Sequence, residues 1–195
     1  MPESEAPEFN LQRPLSSALA VLRAILFSPR RFYLGFSPEG PLREPAVFVL
    51  LVGAVTAVLT AAVAMVSNLI FGELSAGEVG VTALEAVLFA LLSPVAVGAV
   101  AAVYLLSIRT FVGNVGTFRE VYRAAAYAFG ALILAWIPIV GAFAVTYALM
   151  VLMGIAVRIV YRTSFLTAVV TVLVGFLPIS LALVFLRVTT AGLAS

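Results

Sequence analysis

The 195-residue sequence contains no cysteine, histidine, lysine or aspartate. Without cysteine the chain has no disulfide, no thiolate nucleophile and no cysteine-ligated metal. Without histidine it lacks the side chain that ordinarily titrates near neutrality, which excludes Ser–His and Cys–His catalysis and histidine-ligated zinc. The sequence therefore predicts no catalytic residue, no metal site and no cofactor, and we interpret the chain as a non-enzyme.

Charge is also scarce. Charged residues make up 10% of the chain and hydrophobic residues 64%, and the mean hydropathy is +1.20. A soluble domain of this size requires more polar surface, so the composition predicts an integral membrane protein. The net charge of +2 does not indicate nucleic-acid binding, because the arginines are spread along predicted membrane edges and do not form one patch.

The long apolar runs predict an all-α fold, a polytopic membrane bundle of five transmembrane helices with an N-terminal interfacial amphipathic helix. Residues 1–14 are acidic and proline-rich and are predicted to be a disordered tail. Residues 15–44 are assigned to a cytoplasmic interfacial helix and loop, and residues 188–195 to a short C-terminal tail. The transmembrane domain, residues 45–187, holds spans at about 47–71, 82–108, 118–137, 140–160 and 164–186.

Two interpretations of the N-terminal helix remain open. Its apolar residues recur at helical spacing, whereas Arg23 and Arg30 lie two turns apart on another face. The helix either lies in the membrane interface with its arginines toward lipid phosphates or packs against the bundle. The apolar residues are Leu15, Ala18, Leu19, Leu22, Ile25 and Leu26.

Prolines divide the apolar runs. Residues 121–160 are almost continuously apolar and would measure about 60 Å as one helix, which no bilayer accommodates. The chain is therefore predicted to turn at Pro138 and Gly141, and the alternative is a re-entrant hairpin that does not cross fully. Pro94 and Pro178 are predicted to kink the second and fifth spans.

The arginines predict the orientation. Ten of them fall on one side of the five spans, and only Arg187 falls on the other. By the positive-inside rule the N-terminus is cytoplasmic and the C-terminus lies outside a cytoplasmic (plasma) membrane.

Apart from Glu120 at the cytoplasmic end of the third span, Glu85 is the one carboxylate inside a predicted span. An ionisable residue there is a candidate proton carrier or ion ligand. However, Thr82 and Glu85 also have the spacing of a capping box, in which Glu85 would only satisfy the helix start.

Further polar candidates lie in the third span. Arg119, Glu120 and Arg123 form a charged cluster at its cytoplasmic end, and the two arginines either share a lipid phosphate or a partner's acidic group or only anchor the topology. Thr117 and Glu120 have capping-box spacing, so a helix is predicted to begin there. Tyr127 lies deeper and is a candidate for a hydrogen bond across helices.

Small residues recur every fourth position in the second span, which predicts a close helix-packing face. The expected partners are membrane lipids, together with other membrane proteins or a second copy bound through such faces. No nucleic acid is expected. The small residues are Ala86, Ala90, Pro94, Gly98 and Ala102.

Several segments resemble the Yip-one (Ypt-interacting protein) domain family, over about residues 16–187. The resemblance implies five spans and a cytoplasmic N-terminus. The segments are SPRRFY (28–33), FREVYRAAAYA (118–128), IPIVG (137–141), MGI (153–155) and TS (163–164).

Eukaryotic members of that family act in vesicle traffic between endoplasmic reticulum and Golgi and bind Rab GTPases. They carry an aspartate-containing motif before the first span, and this chain has no aspartate. The resemblance is therefore closer to the prokaryotic members. We expect a non-enzymatic membrane scaffold or organiser. The alternative is a small transporter, channel or lipid-moving protein that uses Glu85 and the proline-kinked helices.

Overall fold

The computed structural model describes residues 6–71 and 75–193, and all regular secondary structure within these ranges is helical. The predicted all-α class is thereby confirmed. In chain order the elements are α1 (Pro14–Phe27), α2 (Pro29–Leu34), α3 (Arg43–Phe71), α4 (Ala76–Phe111), α5 (Phe118–Ala128), a 3₁₀ segment (Phe129–Leu134), α6 (Val140–Thr146), a π segment (Tyr147–Leu152), α7 (Met153–Val160) and α8 (Phe165–Leu193).

Four helical stretches in the described ranges are long and apolar enough to cross a membrane. They coincide with the first, second, fourth and fifth predicted spans. The stretches are Arg43–Phe71, Gly77–Phe111, Phe143–Val160 and Phe165–Ala182.

The third predicted span, 118–137, differs from a regular spanning helix. Helix α5 has only 11 residues, and two arginines and a glutamate lie among them. The chain then continues for 6 residues as a 3₁₀ helix. With rises of about 1.5 and 2.0 Å per residue, the two segments together cover roughly 28 Å.

A tight turn after the 3₁₀ segment reverses the chain. Pro138 lies in it, and Ile139 takes a positive φ of 70°. A Cβ atom at Gly141 would collide with the carbonyl oxygen of Ala135, so this position requires glycine. The reversal depends on that close backbone approach.

Helix α5 occupies the centre of the bundle, and every residue from Val121 to Ala128 is buried. It contacts α1, α3, α4 and α7. Four of these eight residues are alanines, and small side chains let neighbouring helices approach on every side. This burial makes α5 the core element despite its charges.

Helices α3 and α4 form a long antiparallel hairpin. A Cβ at Gly53 would lie 2.7 Å from Ser93 Oγ, which shows how closely the two backbones approach. The buried residues of α3 end at Ala57, and none of the described side chains between Gly77 and Leu92 is buried. The distal ends of both helices therefore project beyond the packed body.

Proline is accommodated inside α4 by a neighbouring hydroxyl. Pro94 has no N–H to donate to the carbonyl oxygen of Ala90, and the Ser93 hydroxyl donates to that oxygen instead, at 2.8 Å. Pro178 lies inside α8.

The N-terminal region differs from the prediction. Residues 1–5 lie outside the described residues, but residues 6–13, predicted to be disordered, lie against the bundle. The Ala6 N–H donates to the Gly35 carbonyl oxygen at 3.0 Å, and Phe9 is only 1% exposed. We refer to residues 6–42, which include α1 and α2, as the N-terminal platform.

Helix α1 combines features of both interpretations left open above. Its buried residues, Ala18, Val21 and Ile25, face the protein, and α1 contacts α2, α5 and the 3₁₀ segment. Leu15 and Leu19 remain largely exposed on the other side. The helix is thus packed against the bundle and also presents an apolar surface outward.

Candidate functional site

The site begins with Arg123 on the central helix. Its side chain is completely buried, and three of its nitrogens donate hydrogen bonds into the platform. Nε donates to the Ser37 carbonyl oxygen at 3.1 Å, Nη1 to that of Pro41 at 2.6 Å, and Nη2 to Glu8 Oε2 at 2.7 Å. A buried guanidinium is stable only when it is paired and hydrogen-bonded, and here it is both.

The surroundings of Arg123 complete its pairing. The second Glu8 oxygen, Oε1, accepts a hydrogen bond from the Ser37 backbone N–H at 3.1 Å. The guanidinium carbon lies 5.8 Å from the centroid of the Phe36 ring, within cation–π range. A Cβ at Gly40 would collide with the guanidinium, so glycine leaves the space it occupies. One side chain thereby joins residues 8, 37 and 41 to the centre of the bundle.

An aromatic cluster continues the same interface. Tyr127 of α5 packs edge-on against Phe32 and Phe36, with ring centroids 5.4 and 6.1 Å away, and against Phe48 at 5.5 Å. Such tilted contacts are the geometry that aromatic quadrupoles favour. The cluster fixes the platform through apolar contact where Arg123 fixes it through charge.

Tyr33 adds a hydrogen bond between the platform and α5. Its hydroxyl donates to the carbonyl oxygen of Ala124 at 3.2 Å. Burial raises the pKa of the Tyr33 hydroxyl well above its usual range, and Tyr147 adds to the rise. Tyr33 therefore stays protonated, as a donor must.

The predicted cluster of Arg119, Glu120 and Arg123 is divided between separate environments. Arg119 is exposed, whereas Arg123 is buried against Glu8 and is not available to a lipid phosphate. Glu120 lies at the start of α5, where its N–H donates to the Thr117 hydroxyl at 3.3 Å, so the predicted helix start is confirmed. Burial, and next the charge of Glu120, raises the pKa of Tyr161.

The Tyr127 side chain is fully buried, and its hydroxyl lies near the backbone of Phe9. It makes no hydrogen bond of regular geometry within the residues that the structure describes, so the hydrogen bond across helices stays a prediction. Its neighbours are the aromatic rings of the cluster.

Glu85 is not a capping residue. Helix α4 already begins at Ala76, where Ser75 and Glu78 form a reciprocal capping box. Glu85 lies nine residues further along and is exposed. The capping prediction for Thr82 and Glu85 is therefore wrong, because the capping box of Ser75 and Glu78 already provides hydrogen-bond partners for the N–H groups at the start of α4.

Glu85 lines a groove of about 360 Å³ between α3 and α4, together with hydroxyl-bearing residues of both helices. These are Thr56, Thr60 and Thr82. The Thr56 hydroxyl is occupied, since it donates to the Leu132 carbonyl oxygen at 3.1 Å. The groove thus combines a carboxylate and hydroxyls with an apolar wall.

The sequence prediction missed Glu8 and Gly40. Glu8 lies in a segment whose composition predicts disorder, and nothing local indicates a partner 115 residues away. One available signal is Phe9, a large apolar residue beside it. Gly40 resembles any loop glycine until the guanidinium beside it is known.

The described residues contain no group of three or more acidic, histidine or cysteine side chains that could hold a metal ion. What the site does chemically is to fix one polar segment to the bundle by charge, hydrogen bonds and ring packing. Four membrane-length apolar helices, together with a buried central helix, define the class, a multi-pass helical membrane protein.

The comparison with protein families names the particular group. The model of the Yip1 domain matches residues 23–186, which is well over half of the chain. The chain belongs to the Yip1 domain family, and the resemblance noted in the sequence is confirmed. Searches of curated proteins and of solved structures find no match.

Proposed function

We propose that this protein is a non-enzymatic membrane scaffold, which organises lipids and membrane proteins through its N-terminal platform and its arginine-bearing loops. The observation that supports this proposal is the attachment of the platform to α5 by the ion pair between the buried Arg123 and Glu8. A fixed platform offers a preorganised surface, which lowers the ordering cost of binding.

The outward surface of the platform suits a membrane interface. Leu15, Leu19 and Phe27 of α1 are each largely exposed, and Arg23 and Arg31 are exposed on the same segment. Apolar side chains that enter the acyl region beside arginines at headgroup level are typical of interfacial helices. Lipids are therefore the first partner, and other membrane proteins or a second copy bound through small-residue helix faces are further ones.

The topology proposed with this function has five spans. The roughly 28 Å covered by α5 and the 3₁₀ segment approach the thickness of the hydrocarbon layer, about 30 Å. With five spans the arginine distribution favours a cytoplasmic N-terminus and a C-terminus outside. The lack of aspartate favours a prokaryotic member in a cytoplasmic membrane.

Purification of the full-length chain from its own membrane, with quantification of co-purified membrane proteins, tests the scaffold. The L15E/L19E variant charges the exposed face of α1 and should lose the co-purified proteins. The E85Q variant is the matched control and should retain them. Equal recovery with the wild type and L15E/L19E, after both are shown to be folded, would contradict the scaffold proposal.

The groove at Glu85 favours a second candidate function, a small transporter or channel. A carboxylate in a membrane helix beside threonine hydroxyls has the chemistry to pass a proton or a small cation. The flux of protons or small cations, measured in proteoliposomes, should then fall in E85Q. It should remain in E78Q, because the Glu78 carboxylate only caps α4. Wild-type vesicles without flux above empty vesicles would dismiss this candidate.

A further inference from the structure

Two cavities meet at one end of α7, and they differ in chemistry. The first, of about 310 Å³, lies between the π segment, α7 and α8, and its lining is apolar from Met150 to Leu173 except for Arg158. The second, of about 330 Å³, is lined by Arg30, Arg158 and Arg162 with Leu34, Ile155, Ile159 and Thr163. Arg158 and Ile155 line both, so the cavities are contiguous.

None of the three arginines has a carboxylate partner among the residues that the structure describes. In the part of the chain that the structure describes, the only ion pair is Arg123–Glu8, and no acidic residue lines either cavity. Arg30, Arg158 and Arg162 are exposed. Three guanidiniums that converge on one cavity produce a positive potential that attracts an anion, and phosphate matches their fork geometry.

Arg158 and Arg162 lie at the ends of membrane-length helices. Arg158 lies in the last turn of α7, and Arg162 follows in the loop before α8. Arg158 also rests over the Phe165 ring, with 5.7 Å between the guanidinium carbon and the ring centroid. The charged cavity is therefore at the end of two membrane-length helices, where headgroups lie, and the apolar cavity leads from it toward the hydrocarbon layer.

We propose that these contiguous cavities bind one anionic phospholipid, with its phosphate on Arg30, Arg158 and Arg162 and an acyl chain in the groove between α7 and α8. A free phosphate would use only the charged cavity, and a zwitterionic lipid would bring a cation against the arginines. An anionic phospholipid matches both cavities at once. Basic pockets between helices at the cytoplasmic surface have this character. The inference rests on the lipid contacts of the proposed function and names the lipid class.

Native mass spectrometry of the full-length protein in detergent tests the site. Dioleoyl phosphatidylglycerol is offered against dioleoyl phosphatidylcholine, which has the same chains. We expect one phosphatidylglycerol to be retained and phosphatidylcholine to be lost. The R158Q and R162Q substitutions should each weaken binding about fivefold, and R43Q, at an exposed position at the start of α3 that lines neither cavity, should not. Equal retention of the two lipids, or unchanged binding in R158Q/R162Q, would overturn the proposal.

Filling the apolar cavity provides a second, charge-neutral test. A Cβ at Gly154 meets no atom within 4 Å, so G154L projects into the groove without an initial clash. Gly80 on α4 is equally open and distant, so G80L is the matched control. G154L should weaken phosphatidylglycerol binding at least tenfold and G80L should not. Binding that resists G154L but is displaced by glycerol phosphate would show a site for free phosphate, against the proposal.

A wild-type experiment keeps the test independent of variant folding. Phosphatidylglycerol with a photoreactive group on its acyl chain should label the peptide that contains residues 150–173. Labelling elsewhere would contradict the site. If the wild-type protein retains its co-purified membrane proteins but binds no phosphatidylglycerol, only the lipid-site inference is refuted. If no membrane proteins co-purify with the wild-type protein, the scaffold proposal is refuted.

Discussion

The proximal and distal halves of the bundle are built differently. At the proximal end, near the platform, Arg123 and the aromatic cluster are buried, and Arg123 is paired with the partly buried Glu8. At the distal end, α3 beyond Ala57 and α4 before Ser93 bury no described side chain. Stability is therefore concentrated at the proximal end, and the distal end is held chiefly by its surroundings. Comparable substitutions at the two ends should have unequal effects.

The largest expected effect comes from removing Arg123. R123L would leave Glu8 Oε2 and two carbonyl oxygens without their donor. Breaking a buried pair from one side costs about 3 to 5 kcal/mol, and we expect the lower end because Glu8 is 26% exposed. We expect a large drop in thermal stability in detergent and rapid proteolysis of the platform. Arg119 is exposed on the same helix, so R119L serves as the control. Equal stability of R123L and R119L would show that the pair does not hold the platform.

The next largest effect is expected from alanine substitution of the two phenylalanines in α3. Phe48 is completely buried against Phe9 and Tyr127, whereas Phe71 is exposed at the distal end of the helix. F48A should lower the free energy of unfolding by about 3 kcal/mol, and F71A should change it by less than about 0.5 kcal/mol. Chemical unfolding in mixed micelles measures both. A larger loss in F71A would reverse the comparison.

Substitution of Gly40 by alanine tests how tightly the chain packs beside Arg123. The added Cβ in G40A would displace the guanidinium from its three acceptors, with an expected loss of about 1 to 3 kcal/mol. G154A introduces the same methyl group where nothing lies within 4 Å. Thermal melting should therefore separate the two alanine variants, and coincident melting curves would argue against the tight fit at Gly40.

Alkaline pH tests the buried hydroxyl of Tyr33. Below about pH 10 the folded and unfolded chains both keep its proton; above that pH only the unfolded chain loses it, because burial raises the pKa of the folded state. Stability should fall as pH rises above about 10. In Y33F that fall should be shallower by about 1.4 kcal/mol per pH unit, after a loss near neutrality of about 1 kcal/mol for the hydrogen bond to Ala124. Parallel pH profiles would contradict this.

The smallest expected difference is between the two helix caps. Thr117 begins the buried helix α5 and Ser75 begins the exposed end of α4. T117A should lower stability by about 1 kcal/mol, whereas S75A should only fray the first turns of α4, with less than about 0.5 kcal/mol of global effect. Hydrogen exchange resolves both outcomes. Global destabilisation by S75A would show that the distal end contributes to the core.

The sequence predicts the elements whose signals are local. Apolar runs located the four membrane-length helices, and the spacing of Thr117 and Glu120 located the start of α5. The arginines of α5 were predicted to share one surface, and the structure separates them, because the charge of Arg123 is compensated by Glu8 far away in the chain. Periodicity cannot reveal such a pairing.

The α5 region shows the same limit for span length. The alanines and charged residues of α5 keep its mean hydropathy low, although neighbouring segments bury the helix from Val121 to Ala128. The later 3₁₀ segment has no sequence signal of its own, since Phe129–Leu134 would also suit an α-helix. Likewise, Glu85 had the spacing of a cap, but Ser75 and Glu78 begin the helix earlier.

The ion pair between Glu8 and Arg123 also imposes an order of events during biosynthesis. Its two residues are separated by 115 positions, so at about 5 to 20 residues per second the platform waits roughly 6 to 23 s for its partner to be synthesised. During that interval Phe9, Phe32 and Phe36 have no central helix to cover them. The nascent chain therefore has to shelter these rings at the ribosome, the insertion machinery or the lipid surface until α5 arrives.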